Sequence, residues 1–209
     1  MSSSAFPTLP YAAPTEKKAL TLQEKIAGLH EILKSAKIGM LATRGADGHV
    51  HSRAMIPCSQ FSDTQLTLVF IANNTSAKFS EIKHDAHVNV SFCDSKTNSW
   101  ASYSGIAKAS QDKEIIRKHF SLASMSPYFG DLKDGVHKGD AEDPRVSIIE
   151  VVPSEIRYWV TYSNSHLGLP NVSPRALILG ITSIQTEASG GELVTISSED
   201  IRLAQRLSA

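Results

Sequence analysis

The chain has 209 residues, 41% of them hydrophobic and 20% charged, a composition that suits one globular domain with a sizeable core. Lysine plus arginine and aspartate plus glutamate balance at 21 each, so no net charge draws the protein to nucleic acid or to an anionic membrane. Two cysteines without CxxC spacing, no run of about 20 apolar residues and no signal-peptide pattern together predict a cytoplasmic protein with no membrane partner.

The beginning of the sequence predicts a flexible arm followed by a helix. Residues 1–19 are rich in Ser, Pro, Ala and Thr and have no hydrophobic period, so we expect an arm there and a single domain over residues 20–209. Thr21 and Glu24 have the spacing of a capping box, and the apolar residues that follow recur at helical spacing as far as Ala36.

The rest of the sequence predicts a mainly β protein with flanking helices. Alternating residues at 49–56 and 87–92 and a β-branched, aromatic run at 66–71 predict strands, and we predict further strands at 38–43, 99–109, 145–152, 155–160, 176–183 and 192–196. A turn is predicted at 45–48, and Pro153 separates two of the strands. Further helices are predicted at residues 75–84, 113–122 and 199–207, the last two capped by Asp112 and Ser198. Many short antiparallel strands indicate a barrel rather than a parallel sheet.

One group of polar residues suits a phosphate monoester. Arg53 lies on a strand, and Thr75, Ser76 and Lys78 lie where a helix is predicted to begin. A helix end, an ammonium group and a guanidinium fork together can bind a phosphate. From the residues alone the alternative stays open that Thr75 or Ser76 is only a helix cap and Lys78 only a solvated residue.

Other polar residues have structural explanations at least as good as functional ones. His49 and His51 would share a strand face, but no third ligand is near in sequence, so we predict no metal site. Cys58 is either redox-active or a small buried residue, and Tyr103 either contacts a ligand or fills a cross-strand position. The charged stretch within residues 124–143 is either a solvated loop or a lid.

Six motifs, in order, resemble the landmarks of the FMN-binding split barrels related to pyridoxamine-phosphate oxidases. The resemblance is greatest to the general stress proteins and, among them, to the fungal blue-light-inducible proteins. The motifs are Ser52-Arg53-Ala54-Met55, the strand at 66–71, Thr75-Ser76-Ala77-Lys78, Val88-Asn89-Val90-Ser91, Ser102-Tyr103-Ser104-Gly105 and Tyr158-Trp159.

The resemblance implies a split β-barrel whose homodimer holds two FMN molecules at the subunit interface. Arg53, Ser76 and Lys78 would contact the phosphate, and Trp159 would reach the flavin across the interface. The cofactor-binding residues that it implies are Arg53, Met55, Phe70, Ile71, Ala72, Thr75, Ser76, Lys78, Trp100 and Trp159. For both tryptophans the alternative is a simple packing role.

The sequence departs from true pyridoxamine-phosphate oxidases where they recognise the vitamin's phosphate. Cys58 stands in place of a lysine, and residues 163–168 contain His166 but no arginine. We therefore expect an FMN-dependent oxidoreductase acting on an unknown small substrate, and we nominate no catalytic residue. The alternatives are a non-catalytic FMN sensor or carrier in a stress or light response, and a split barrel that binds haem or a deazaflavin.

Overall fold

A computed structural model describes residues 19–58, 62–120, 128–161 and 191–207. These residues form four helices and seven strands. The helices are α1 (Leu22–Ala36), α2 (Lys78–His84), α3 (Lys113–His119) and α4 (Ser198–Leu207). The strands are β1 (Gly39–Arg44), β2 (Val50–Met55), β3 (Leu68–Asn73), β4 (His87–Cys93), β5 (Trp100–Ser110), β6 (Val146–Thr161) and β7 (Gly191–Ile196). The predicted arm and the predicted strand at 176–183 lie outside the described residues.

The seven described strands form one antiparallel sheet, in which six follow the order β2-β1-β4-β5-β6-β3 and β7 pairs with β6 off this path. The long strand β6 pairs with β5 along one edge, and with β3 and then β7 along the other. Within the described ranges no pairing joins β2 to β3, so the sheet is open between them. The prediction of a mainly β protein with flanking helices is confirmed.

The core lies between the inner face of the sheet and α1. The predicted capping box is present: the Thr21 hydroxyl accepts from the Glu24 amide at 3.3 Å, and the Glu24 carboxylate accepts from the Thr21 amide at 2.8 Å. Ile26, Leu29 and Leu33 are almost fully buried. Each such side chain contributes about 1.5–3 kcal/mol through the hydrophobic effect, so this face fixes the helix on the sheet.

The final helix, α4, is tied to α1 by an ion pair. The Asp200 carboxylate accepts from Lys25 Nζ at 2.8 Å. Ser197 and Asp200 also exchange the reciprocal hydrogen bonds of a capping box. The predicted cap, Ser198, is therefore wrong by one residue: Ser197 has this role, because its hydroxyl is the one placed three residues before the Asp200 amide.

The two strands predicted around Pro153 are one continuous strand, β6. The register between β5 and β6 shifts between Ser104 and Gly105, so that Ser154 is an extra residue in a bulge. Proline cannot donate to a sheet, and a bulge beside it tolerates the missing hydrogen bond. Gly105 faces Pro153 at this point, and a Cβ on residue 105 would lie only 2.9 Å from the Pro153 Cα.

The irregular segment at residues 128–145 is anchored by a buried ion pair. The Asp143 side chain is fully buried and accepts from Arg145 at 2.7 Å and from the Gly139 amide at 2.8 Å. Phe129 is buried in a second apolar cluster with residues of β3 and β6. These contacts attach the segment to the body of the domain, although its charged residues at 131, 133 and 138 are exposed.

Candidate cofactor site

A buried glutamate, Glu81 on α2, organises the polar group on β1 and β2. One of its carboxylate oxygens accepts from Thr43 Oγ1 at 2.5 Å and from Arg53 Nη2 at 2.6 Å. The other lies 2.9 Å from His51 Nδ1. Burial would raise the pKa of Glu81, but the hydrogen bonds from Thr43 and Arg53 outweigh it and hold the pKa below its usual value. Glu81 is therefore a carboxylate that compensates the Arg53 charge.

Arg53 retains two unused donors on one edge of its guanidinium group. Its Nη1 donates to the Leu41 carbonyl at 3.2 Å and to the Thr43 hydroxyl, and its Nη2 donates once, to Glu81. A guanidinium group has five N–H bonds. No acceptor in the described part of the chain takes the Nε–H or the second Nη2–H. Nε and Nη2 form one edge of the guanidinium group, and such an edge can bind phosphate or carboxylate as a bidentate fork.

Lys78 and Ser76 form a second polar pair, near enough to Arg53 for its charge to act on Lys78. Lys78 Nζ donates to Ser76 Oγ at 2.5 Å, and the Ser76 hydroxyl donates to the Asn73 carbonyl at 2.6 Å. Burial, and next the positive charge of Arg53, lower the pKa of Lys78. The structure thus brings two cations from different elements close enough to repel each other, an arrangement that an anion would relieve.

The start of α2 differs from its prediction. The helix begins at Lys78 rather than near Thr75, and its N-cap is Ala77, which makes no side-chain capping bond. The hydroxyl of Thr75 instead donates to the Asn73 side chain at 2.8 Å. The interpretation of Thr75 or Ser76 as a helix cap is therefore wrong. Since the helix has only seven residues, positive potential at this site comes mainly from Arg53 and Lys78.

The residues predicted to lie along a flavin occupy the two end strands of the sheet. Met55 ends β2 and is partly buried against the main core, while Phe70, Ile71 and Ala72 are buried in β3. Because the Phe70 side chain is fully enclosed, a ligand at this edge would meet the backbone of β3 rather than its side chains.

The two predicted tryptophans are brought together on the other face of the sheet. Trp100 and Trp159 are directly opposite each other on β5 and β6. Their neighbours Ala101 and Tyr158 point into the core and are fully buried, so the tryptophan side chains point outward. Arg53 pairs with the inward-pointing Leu41. Within one chain, the tryptophan pair and the Arg53–Lys78 group therefore lie on opposite faces.

A pocket of about 380 Å³ adjoins Trp100 on this outer face. Met40 and Trp100 line it from β1 and β5, and they are 42% and 38% exposed. Ser91 and Ser102 supply small polar side chains at its floor. The outer face is thus concave and partly apolar, which is a common property of binding surfaces.

Cys58 and Tyr103 have packing roles in the structure. Cys58 packs against the second apolar cluster, and burial raises the pKa of its thiol to about 11, so the reactive thiolate is disfavoured. Tyr103 lies in the core at an edge-on angle to Phe92, with 6.0 Å between the ring centroids. For both residues the structural explanation is the one that the contacts support.

Sequence reasoning missed Glu81, whose carboxylate connects Thr43, Arg53 and His51. A signal was present, since Glu81 immediately precedes the apolar Ile82 on a helix whose start contains Lys78. A carboxylate three residues after a lysine usually indicates a solvated pair, so the spacing alone did not mark it. Its partners on β1 and β2 lie 28 to 38 residues away in sequence.

Comparisons with known proteins agree with this architecture. Residues 24–172 match the family model described as pyridoxamine 5′-phosphate oxidase like. Over 159 aligned residues the chain is 36% identical to protein bli-3 of Neurospora crassa, and the aligned region covers 76% of this chain and 75% of that protein.

Among the described helices, none is long and apolar enough to cross a membrane.

Two solved structures share the fold. General Stress Protein 26 from Bacillus anthracis aligns with a TM-score of 0.52 and 23% identity over 66% of this chain and 92% of that one. A pyridoxamine 5′-phosphate oxidase-related, FMN binding protein from Nostoc punctiforme aligns with a TM-score of 0.51 and 13% identity over 82% and 95%. The predicted split-barrel fold is confirmed.

Proposed function

Because this chain belongs to the pyridoxamine 5′-phosphate oxidase-like family, we propose that it is a flavoprotein that holds the phosphate of FMN between Arg53 and Lys78. The observation that carries the proposal is the Nε/Nη2 edge of Arg53, which keeps unused donors within the described residues, together with a partly buried lysine whose pKa the Arg53 charge lowers. A phosphate monoester carries a charge of about −1.5 to −2 at neutral pH, enough to relieve the repulsion between these cations. The residues present therefore fit the group.

Ser76, Met55 and the β3 backbone each have a position that supports the role predicted for them. Ser76 already contacts Lys78 and would orient its ammonium group toward the phosphate. Met55 and the β3 backbone at Phe70–Ala72 would line the ring system and exclude water from it. When bound, FMN supplies hydride or single-electron transfer, and the protein supplies binding, orientation and electrostatics.

We propose that the protein is a homodimer in which the tryptophan pair of one subunit covers the flavin bound by its partner. Support comes from the position of Trp100 and Trp159 on the sheet face opposite Arg53, since one chain alone does not bring them together. The exposed Ile38 and Met40 next to Trp100 give this face apolar area to bury. Light scattering on the flavin-loaded protein tests the dimer, and a monomer with bound FMN would contradict the shared site.

We further propose that the flavoprotein performs a redox step on a small substrate that is not the vitamin phosphate. The neutral, partly buried thiol of Cys58 cannot replace the cation that would bind a second phosphate. Anaerobic mixing with NADPH or NADH, followed by an electron acceptor, tests this step. Turnover supports an oxidoreductase, whereas a flavin that no donor reduces supports a carrier or sensor.

Flavin binding is tested first by absorption spectroscopy of the purified protein and mass spectrometry of the cofactor released by heat. The dissociation constants of FMN and riboflavin are then compared for Arg53→Lys, which keeps the charge but removes the fork, and for the matched control Arg117→Lys on the exposed side of α3. We expect Arg53→Lys to weaken FMN about tenfold or more, because charge-assisted hydrogen bonds are lost, and to leave riboflavin unchanged. A colourless protein that takes up neither flavin would refute the proposal.

A further inference from the structure

We propose that Glu81 is a positioning residue that orients the free edge of Arg53 toward the phosphate. This role rests on the proposed function, because it assumes that FMN phosphate is the anion bound there. It assigns to a buried carboxylate a task that is carried out through Arg53.

The first argument is that Glu81 is built into the site rather than placed beside it. Its side chain is only 9% exposed, and both carboxylate oxygens have partners: Thr43 and Arg53 at one, His51 at the other. Burying a carboxylate is costly unless it is fully hydrogen-bonded. A residue whose only task was to fill space on α2 would not need a charge.

The second argument is the pattern of donors on Arg53. Nη1 is occupied by the Leu41 carbonyl and the Thr43 hydroxyl, and Nη2 is directed to Glu81. Three protein acceptors therefore hold Nη1 and Nη2, while Nε has no acceptor within the described residues and is left for a ligand. An arginine side chain has many rotamers, and a guanidinium group fixed in advance loses less conformational entropy on binding.

The third argument is that one short helix carries both Glu81 and Lys78. These residues are three positions apart on α2 and thus lie on neighbouring parts of one helix face. The ion pair from Glu81 to Arg53 fixes α2 relative to β2 and so fixes the position of Lys78 relative to the fork. The negative charge of Glu81 also opposes the repulsion between the two cations, because it raises the pKa of Lys78 while Arg53 lowers it.

An alternative role for Glu81 predicts the opposite result. If Glu81 only neutralised Arg53, it would compete with the phosphate for the same cation. Removing its charge would then strengthen FMN binding, because the site would gain positive potential. If Glu81 positions Arg53, removing its charge weakens FMN binding although the net positive charge increases.

The experiment compares wild type with Glu81→Gln, which keeps the shape of the side chain and removes the charge. Dissociation constants of FMN and riboflavin are measured by flavin fluorescence quenching, and the melting temperature is measured without flavin. We expect FMN affinity to fall about tenfold and riboflavin affinity to change by less than about twofold, because riboflavin has no phosphate to orient. Glu31→Gln, at an exposed glutamate of α1, is the matched control.

Several outcomes overturn the role. FMN affinity that rises or does not change shows that Glu81 does not position the fork. An equal loss for both flavins shows a general structural effect. A wild-type protein that binds FMN no better than riboflavin overturns the proposed phosphate site itself, and this result is separate because it is visible before any substitution.

A second variant covers the case in which Glu81→Gln does not fold. Thr43→Val preserves side-chain volume but removes the hydroxyl that donates to Glu81 and accepts from Arg53. It leaves the Glu81–Arg53 ion pair in place, so we expect a smaller loss of FMN affinity, about threefold, again without effect on riboflavin. Unchanged FMN affinity in a folded Thr43→Val protein would count against the positioning network.

Discussion

Replacing Tyr103 with phenylalanine should stabilise this protein, which is an unusual result for a change in a core. The Tyr103 side chain is fully buried between strands β4 and β6, and its hydroxyl has no hydrogen-bond partner in the part of the chain that the structure describes. Burial also raises the pKa of Tyr103, so the hydroxyl stays neutral at every ordinary pH. Phenylalanine keeps the ring and its edge-on contact with Phe92.

The size of the effect follows from two opposing contributions. A buried polar group without a partner costs about 1–3 kcal/mol, which the substitution recovers. Removing one oxygen leaves a small void that costs a few tenths of a kcal/mol at roughly 24 cal/mol per Å³. We therefore expect the free energy of unfolding to rise by about 1 kcal/mol, or the melting temperature by about 2–4 °C for a domain of this size.

Tyr158→Phe provides a matched comparison in the same core. Tyr158 is also fully buried, but its hydroxyl donates to the Lys25 carbonyl at 2.9 Å, so its removal should cost about 1 kcal/mol. Both variants and wild type are unfolded in urea at the same flavin saturation, because a bound ligand changes apparent stability. If Tyr103→Phe is destabilised as much as Tyr158→Phe, the Tyr103 hydroxyl has a partner and the reasoning is wrong.

Two further predictions test the sheet and the anchored segment. Gly105→Ala should lower the free energy of unfolding by about 3 kcal/mol or more in urea titrations, because the added Cβ would overlap the Val152 carbonyl oxygen at the β5–β6 bulge. A variant whose free energy of unfolding lies within about 0.5 kcal/mol of wild type, roughly the range of neutral surface changes, would contradict this packing. Asp143→Asn should lower the free energy of unfolding by about 2 kcal/mol at pH 7, because Asp143 accepts charge-assisted hydrogen bonds from Arg145. These bonds hold the pKa of Asp143 below its usual value, so its contribution is complete above about pH 4 and is lost as the pH falls toward the folded-state pKa. The difference between Asp143→Asn and wild type should therefore shrink in acid, and a constant difference from pH 7 to pH 3 would contradict the assignment.

The sequence by itself determined the local features of this protein. The capping box at Thr21, the turn at 45–48 with Gly48 at a positive φ of 84°, and the cap at Asp112 were all predicted and are all present. Each depends on hydrogen bonds or backbone angles within about four residues, so the residue types suffice to specify it. The order of the family motifs likewise predicted the split-barrel fold.

Only the tertiary structure decided which distant residues meet. The β5–β6 bulge keeps Pro153 inside one strand, although proline usually marks a break. Sheet register places Trp100 opposite Trp159 and directs both away from the face of Arg53. Glu81 reaches Arg53 only because α2 packs against β1, the neighbour of β2, and no local sequence pattern predicts that contact. Such long-range pairs depend on the register and packing of whole strands and helices. A shift of one residue in register would change every pair, and the local sequence around each residue does not fix that register.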